Sequence, residues 1–253
     1  MNTPACPVCR TPDTRAFLVV DGRPYLRCDR CECTFLPPTA RLSPAAEHAY
    51  YLTHENRIDD PGYRRFLARV AAPLLQRLPP GSSGLDFGCG PAPALAAMLG
   101  EAGHRVALYD PVFHPDDSAL SRDHDFVTCT EVIEHLHDPA TTFALLARML
   151  RPGGWLALMT CFQTDDARFA NWHYRRDPTH VVFYREATLR HVAATHGLAI
   201  EVPCKDVALM RRPGSGASPL TAAAAPGSGS RGSSPWWSSR RSAGGCANGR
   251  RRP

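Results

Sequence analysis

Hydrophobic positions recur every three or four residues between 61 and 80, at Phe66, Leu67, Val70, Leu74, Leu75 and Leu78. That period predicts an amphipathic helix, ended by Pro79, Pro80 and Gly81. Upstream lie two short runs on either side of a turn signal. Residues 16–20 and 23–27 read as a hairpin turning at Asp21 and Gly22. Between them and the long helix, Ser43, Pro44 and Glu47 read as N-cap, first helical residue and capping acid of a shorter helix. Tyr50, Tyr51, His54 and Asn56 fall on this helix or just past it. Tyr50 and His54 share a face, which suits either a lid or packing against the N-terminal residues.

Downstream the pattern alternates between short apolar runs and helical stretches. Leu85–Phe87, Arg105–Tyr109, Asp125–Thr130 and Trp155–Thr160 read as strands. Residues 92–103 and a stretch opening at Asp138 and Pro139, with Phe143, Leu146 and Leu150 on one face, read as helices between them. Strands alternating with helices predict a parallel, doubly wound α/β sheet. Pro152, Gly153 and Gly154 are read as the turn into the fourth strand. A helix from Glu186 to His196, stopped by Gly197, leads to two last strands at 198–202 and 206–210. Residues 214–253 have no apolar period and are rich in Gly, Ser, Ala, Pro and Arg, the composition of a disordered tail.

The charge changes little in this picture. The net charge of +5 owes much to six arginines in the last 25 residues, so the remainder is nearly neutral and charge alone does not imply a nucleic-acid partner. No run of 18 apolar residues suggests a membrane span, and the N-terminus has no basic-then-apolar leader pattern. A cytoplasmic protein with reduced thiols is expected.

The cysteines then read as metal ligands or buried thiols. Cys6 and Cys9 form one Cys-x-x-Cys pair and Cys28 and Cys31 another, 18 residues on. Two such knuckles complete a tetrahedral four-thiolate zinc site. Such a site leaves no position for water and is expected to be structural. Cys33 is a spare thiol, read either as a replacement ligand or simply as a buried thiol.

The candidate chemistry centres on Asp86, Phe87, Gly88, Cys89 and Gly90, where a strand ends in an acid followed by alternate glycines. Gly88 and Gly90 let the backbone turn sharply and let a ligand lie against it. A helix then starts near Pro91 and Pro93, with its free N–H groups toward the turn. The third position of a dinucleotide fingerprint is Ala92 instead of glycine. The next strand ends in Asp110, 20 residues after Gly90, placed to accept from ribose hydroxyls.

Taken in order, Asp86-x-Gly88-x-Gly90, Asp110, Asp125–Val127 with Glu131–His135, and Leu150–Gly154 resemble the class I S-adenosylmethionine-dependent methyltransferases. The resemblance covers roughly residues 61–213. It implies a Rossmann-like doubly wound sheet with S-adenosylmethionine on Asp86, Phe87, Gly88, Cys89, Gly90, Asp110, Pro111, Thr130 and Glu131. Asp86 would hold the methionine end. Glu134 and His135 are similar to signature residues, His135 being read as a structural hydrogen-bonder. One departure stands out. Only 14 residues separate Asp110 from Asp125, so a strand–helix unit is missing or compressed into 111–119, and with it the usual adenine contacts.

The expected organisation is a zinc-ribbon-like module at 1–36, a helical lid or linker at 37–80, the methyltransferase domain at 81–213 and the tail. Methyl transfer from a sulfonium needs alignment first and a base only if the acceptor must lose a proton. His173, Asp177 and His180 are the best acid/base group, with His180 as base and Asp177 fixing its tautomer. Trp172 and Tyr174 are read as packing or as the wall of an aromatic acceptor site. A small-molecule acceptor is the leading expectation. The alternatives are an RNA base methyltransferase gripping RNA through the module, where Arg10, Arg15, Arg23, Arg27 and Arg30 outnumber Asp13, Asp21 and Asp29, and an inactive zinc-stapled scaffold.

Overall fold

The structure is a computed structural model, and it describes residues 3–53 and 56–214. His54 and the tail beyond Gly214 lie outside the described residues. Two sheets organise the chain. The larger has six strands in the order β5-β4-β6-β7-β10-β9. Its strands are β4 (Ser83–Phe87), β5 (Arg105–Tyr109), β6 (His124–Thr130), β7 (Leu150–Met159), β9 (Ala199–Cys204) and β10 (Val207–Arg211). β5, β4, β6 and β7 are parallel. β10 runs antiparallel to both β7 and β9.

Side chains alternate across this sheet, as a strand buried on both faces requires. Ala157, Met159, Val207 and Leu209 face a layer that includes Leu67, Val70 and Leu74 of α2 (Pro61–Leu75) and Leu95 and Leu99 of α3 (Ala94–Glu101). Leu156, Leu158, Ala208 and Met210 face the opposite layer, with Phe143 and Leu146 of α4 (Pro139–Arg148) and Leu189 and Val192 of α5 (Glu186–Thr195). Pro73 lies inside α2 and cannot donate to the Arg69 carbonyl; the Cys204 thiol takes that carbonyl instead, at 3.6 Å.

Three elements depart from the sequence-based expectation. α3 starts at Ala94 because Pro91 and Pro93 hold the backbone out of the helical region. Pro152–Gly154 form a bulge within β7 instead of a turn before it: His124 pairs with Leu150 and Phe126 with Trp155. A Cβ on Gly154 would meet the Asp125 carbonyl at 3.0 Å, so only glycine fits that crowded backbone. Between β5 and β6 there is a 3-10 turn at Asp117–Ser121 and no strand. The short connection is thus real, and β5 forms the sheet edge.

The second sheet is antiparallel, in the order β1-β2-β3-β8. Here β1 is Thr14–Val20, β2 Arg23–Cys28 and β3 Thr34–Phe35, while β8 (Val182–Phe183) comes from the far side of the chain. The cysteine module therefore shares its sheet with the segment after His180. Buried arginines reinforce the join. Arg27 reaches Asp166 and Thr34, and Arg175 reaches Asp21 and the Ala170 carbonyl. α1 (Pro44–Tyr51) begins at Ser43, whose hydroxyl accepts from Ala46 N–H. Glu47 does not cap it. Its carboxylate is buried against His137, at 3.5 Å, and accepts from Tyr51.

Candidate active site

At the carboxyl ends of the parallel strands lies a pocket of about 680 Å³. Gly88 and Gly90 turn there with φ of 73° and 66°, in the left-handed region. A Cβ on Gly88 would come within 2.4 Å of the Val132 side chain, whereas Gly90 faces open space. Gly88, Cys89, Gly90, Asp110, Pro111, Thr130 and Glu131 all line the pocket.

Asp110 is anchored by backbone. Its Oδ1 accepts from Val112 and Phe113 N–H, and its Oδ2 accepts from Gly90 N–H at 3.1 Å. This ties the glycine turn to the end of β5 and leaves a lone pair on Oδ2. Thr130 Oγ1 is buried with no hydrogen-bond partner among the described residues, an orphan that a ligand would satisfy. The open face of Gly90, the spare Asp110 lone pair and the Thr130 hydroxyl fit the polar groups of a nucleoside-bearing cofactor.

Asp86 and Phe87 stand differently. They do not line the pocket but lie behind the turn. Thr128 donates to Asp86 at 2.6 Å, and Phe87 stacks on Tyr109 at 5.3 Å. Burial pushes the Asp86 carboxyl up to about 6, against the pull of the Thr128 hydrogen bond.

The other end is made of side chains from three places. α1 contributes His48 and Tyr51, the turn after β6 contributes His135, and the 3-10 turn before β8 contributes Asp177 and His180. His180 Nδ1 lies 2.7 Å from the Tyr174 carbonyl, which must accept and so places the proton on Nδ1. In the neutral imidazole Nε2 carries the lone pair; it lies 3.9 Å from Asp177 Oδ2. The backbone carbonyl, rather than Asp177, sets the tautomer. Burial alone would raise the Asp177 carboxyl, but Thr179 donates to it from both N–H and hydroxyl and His180 lies close, so it is held below its ordinary range. His173 is not among the lining residues, and neither Trp172 nor Tyr174 forms the wall. Tyr174 lies beneath it, its ring 4.2 Å from that of His180.

Tyr63, Val112 and Phe113 also line the pocket, and Asn56, Pro91, Ala92 and Val132 complete the lining among the described residues. Tyr63, Val112 and Phe113 carry little signal in the sequence, because Tyr63 sits on an ordinary amphipathic helix and the loop after Asp110 has no motif. Burial raises the Tyr63 hydroxyl to about 12, so it stays protonated.

The four cysteines of the N-terminal module converge. Cys9 and Cys28 sulfurs are 3.5 Å apart, and Cys6 and Cys31 sulfurs 3.6 Å. Cys6 with Cys9 and Cys28 with Cys31 each form a knuckle, in which the N–H of Cys9 donates to the Cys6 sulfur and that of Cys31 to the Cys28 sulfur. Each knuckle ends in a left-handed residue, Arg10 and Glu32. Sulfurs at this spacing are near the ~3.8 Å expected across a tetrahedron with ~2.3 Å bonds. Cys6, Cys9, Cys28 and Cys31 could together hold one ion. Cys33 also reaches Cys6, at 3.4 Å, but stands outside that group of four.

With the geometry described, comparison with known proteins places the chain. A ubiquinone biosynthesis O-methyltransferase from Thiobacillus denitrificans is 33% identical over 103 residues, covering 32% of this chain and 44% of the relative. One from Serratia proteamaculans is 32% identical over 78 residues, covering 31% and 32%. The chain thus spans less than half the length of these curated relatives. Among solved structures, a 1,6-didemethyltoxoflavin-N1-methyltransferase from Burkholderia thailandensis is 18% identical with a TM-score of 0.46, covering 72% of this chain and 96% of that one. The family profile described as a methyltransferase domain matches residues 61–201, more than half of the chain, and the protein belongs to that family.

Proposed function

We propose that the protein transfers the methyl group of S-adenosylmethionine, by direct displacement, to a small uncharged acceptor carrying a hydroxyl group. The observation that carries this reading is the pocket wall. It holds His48, His135 and His180, and Asp110, Glu131 and Asp177, but no lysine or arginine among the described residues. A phosphorylated or strongly anionic acceptor would call for cations there. The volume lies within the ~300–1,000 Å³ usual for small-molecule clefts. The curated relatives are named for transfer to oxygen, which supports oxygen as the receiving atom.

Gly88, Gly90, Asp110 and Thr130 would hold the cofactor, which when bound supplies a methyl group already activated on a sulfonium. His180 Nε2 takes the proton of the acceptor hydroxyl, and Asp177 steadies the imidazolium that forms. His135, whose Nδ1 faces the Thr179 carbonyl at 3.3 Å, orients the acceptor. The four-cysteine cluster fits a structural zinc ion. Nucleic-acid binding is less well supported, because three of the module's five arginines already pair with acids: Arg10 with Asp138, Arg15 with Asp29 and the buried Arg27 with Asp166.

Calorimetric titration with S-adenosylmethionine and S-adenosylhomocysteine tests the first half. Both are expected to bind at micromolar concentration, and absence of heat at millimolar ligand would sink the reading. Methyl transfer to a panel of phenols, alcohols, amines and a short RNA tests the second. Transfer to RNA but to no phenol or alcohol would overturn the acceptor class.

A further inference from the structure

Two neighbouring carboxyl groups, Glu131 in the pocket wall and Glu134 buried behind it, are not used by the displacement itself. Tyr174 Oη lies 3.2 Å from Glu131 Oε2, within hydrogen-bonding reach of Glu134 Oε1, and 2.9 Å from Thr160 Oγ1. Thr160 Oγ1 in turn lies 3.1 Å from Glu134 Oε2. Glu134 and Thr160 are fully buried and Tyr174 nearly so.

Counting hydrogens shows what this arrangement requires. A phenol has one hydrogen, so Tyr174 cannot donate to both carboxylates. Its closest contact is Glu134, which also receives the Thr160 hydroxyl. With both acids ionised, Glu131 Oε2 would face a bare phenol oxygen across 3.2 Å. One further proton removes that conflict: Glu131 donates to Tyr174, Tyr174 donates to Glu134, and Thr160 donates to Glu134.

We propose that Glu131 stands in the pocket wall as a neutral, protonated acid, while Glu134 is the charged member of the pair, with Tyr174 the positioning residue that sorts the proton between them. Burial, followed by the neighbouring Glu134, pushes the Glu131 carboxyl up to about 9. Burial raises the Glu134 carboxyl too, but His180 and the hydroxyls of Tyr174 and Thr160 pull it back down, so the geometry of the donors decides which acid is charged. The groups that face Glu131 are Glu134, Tyr174, Asp206 and Arg69, with Tyr63 farther along the wall and Cys161 behind it. The like charges of Glu134 and Asp206 outweigh the single arginine.

The backbone supports the same role. Glu131 has φ 52°, an uncommon conformation for a residue with a side chain, held by its N–H donating to the Met159 carbonyl. Tyr174 meanwhile serves both ends of the network, since its carbonyl and ring hold His180. Two consequences follow. The wall contributes a hydrogen-bonding group at Glu131 without a fixed negative charge. A carboxylate there would favour a cationic ground state over a transition state in which the cation is discharged. Charged Glu134, buried beside His180, supplies the counter-charge for its imidazolium.

The meaning for catalysis rests on the proposed function, but the test does not, because it reads protonation in the full chain without any acceptor. Infrared spectra at pH 8 should show the carbonyl stretch of a buried protonated acid; Asp86, at about 6, is ionised there. Glu131→Gln should abolish the band and Glu134→Gln should leave a Glu131 band. Tyr174→Phe should shift the band, because the acid loses its acceptor. Absence of the band in the wild type, its loss in Glu134→Gln alone, or an unmoved band in Tyr174→Phe would each overturn the proposal. Should a variant fail to fold, carbon-13 NMR of the glutamate-labelled wild type decides: one glutamate carboxyl must titrate with a midpoint above 7.

Discussion

One end of the pocket is built from consecutive strand ends of a single parallel sheet, and what it presents is largely backbone: the Gly88–Gly90 turn and an Asp110 carboxylate pinned by three N–H groups. The other end is built from side chains of α1, the turn after β6 and residues 177–180, backed by a second sheet that joins β3 to β8. The first construction depends on what glycine can do and a side chain cannot. The second depends on distant segments being held together. The two ends should therefore fail separately, under different substitutions.

The largest effect is expected from the module. Cys28→Ser should abolish bound zinc, measured by metal analysis, and lower the melting temperature by several degrees. Hydrogen exchange should quicken in residues 163–183, which share the module's sheet and its buried arginines. Affinity for S-adenosylhomocysteine should change less than about threefold, since the glycine turn lies on the other sheet. Equal loss at both ends would show the division to be false. Next, His180→Gln should lower methyl transfer by about 10²–10⁴-fold with cofactor affinity unchanged in calorimetry.

The turn end breaks in the opposite sense. Gly88→Ala imposes a left-handed conformation on alanine and drives its Cβ toward Val132. The cost is about 2–4 kcal/mol, read as a loss of cofactor affinity of at least thirtyfold. Val132→Ala in the same chain should restore part of it by relieving the clash while the φ strain remains.

How much of this was legible in the sequence follows the same division. The parallel sheet, its helices, the glycine turn and Asp110 could be read because they obey local rules: a hydrophobic period, a turn that demands glycine, an acid at a strand end. The short 110–125 connection could be read as a missing unit by counting residues. The acceptor end could be read only in part. His180 and Asp177 stood out as a pair, but their geometry depends on the Tyr174 carbonyl, and no spacing rule announces a backbone acceptor. His48 and Tyr51 reach the pocket because Glu47 is buried against His137, a contact across about ninety residues. The capping role read for Glu47 gave way to that pairing. The join of β3 to β8 was hidden because two-residue strands carry no periodic signal.

Glu131 lies where the two ends meet, and it makes a prediction with a definite sign. An acid whose carboxyl sits near 9 when folded and near its ordinary 4.5 when unfolded binds more protons in the native state between those values. Its burial therefore lowers stability progressively as pH rises from about 4.5 to 9 and adds nothing further above. Glu131→Gln removes that titration. Relative to wild type, the variant should gain stability across this window by up to about 1.4 kcal/mol per pH unit, measured by denaturant unfolding at several pH values. A difference independent of pH would mean that Glu131 is ionised in the native protein.

The smallest effect is expected where the sequence most invited a functional reading. Tyr50 hydrogen-bonds Asp177 at 3.4 Å and so links α1 to the acceptor end, as a lid latch would. The bond is long, and Tyr50 is only half-buried, so water competes for both partners. The buried Glu47–His137 pair and the Tyr51 hydroxyl on Glu47 hold the same helix more firmly. Tyr50→Phe should therefore change stability by less than about 0.5 kcal/mol and leave hydrogen exchange in α1 unaltered. Quickened exchange confined to α1 would instead identify the Tyr50–Asp177 contact as the latch of a moving helix, and α1 would have to be treated as a gate to the histidine end rather than as part of its fixed wall.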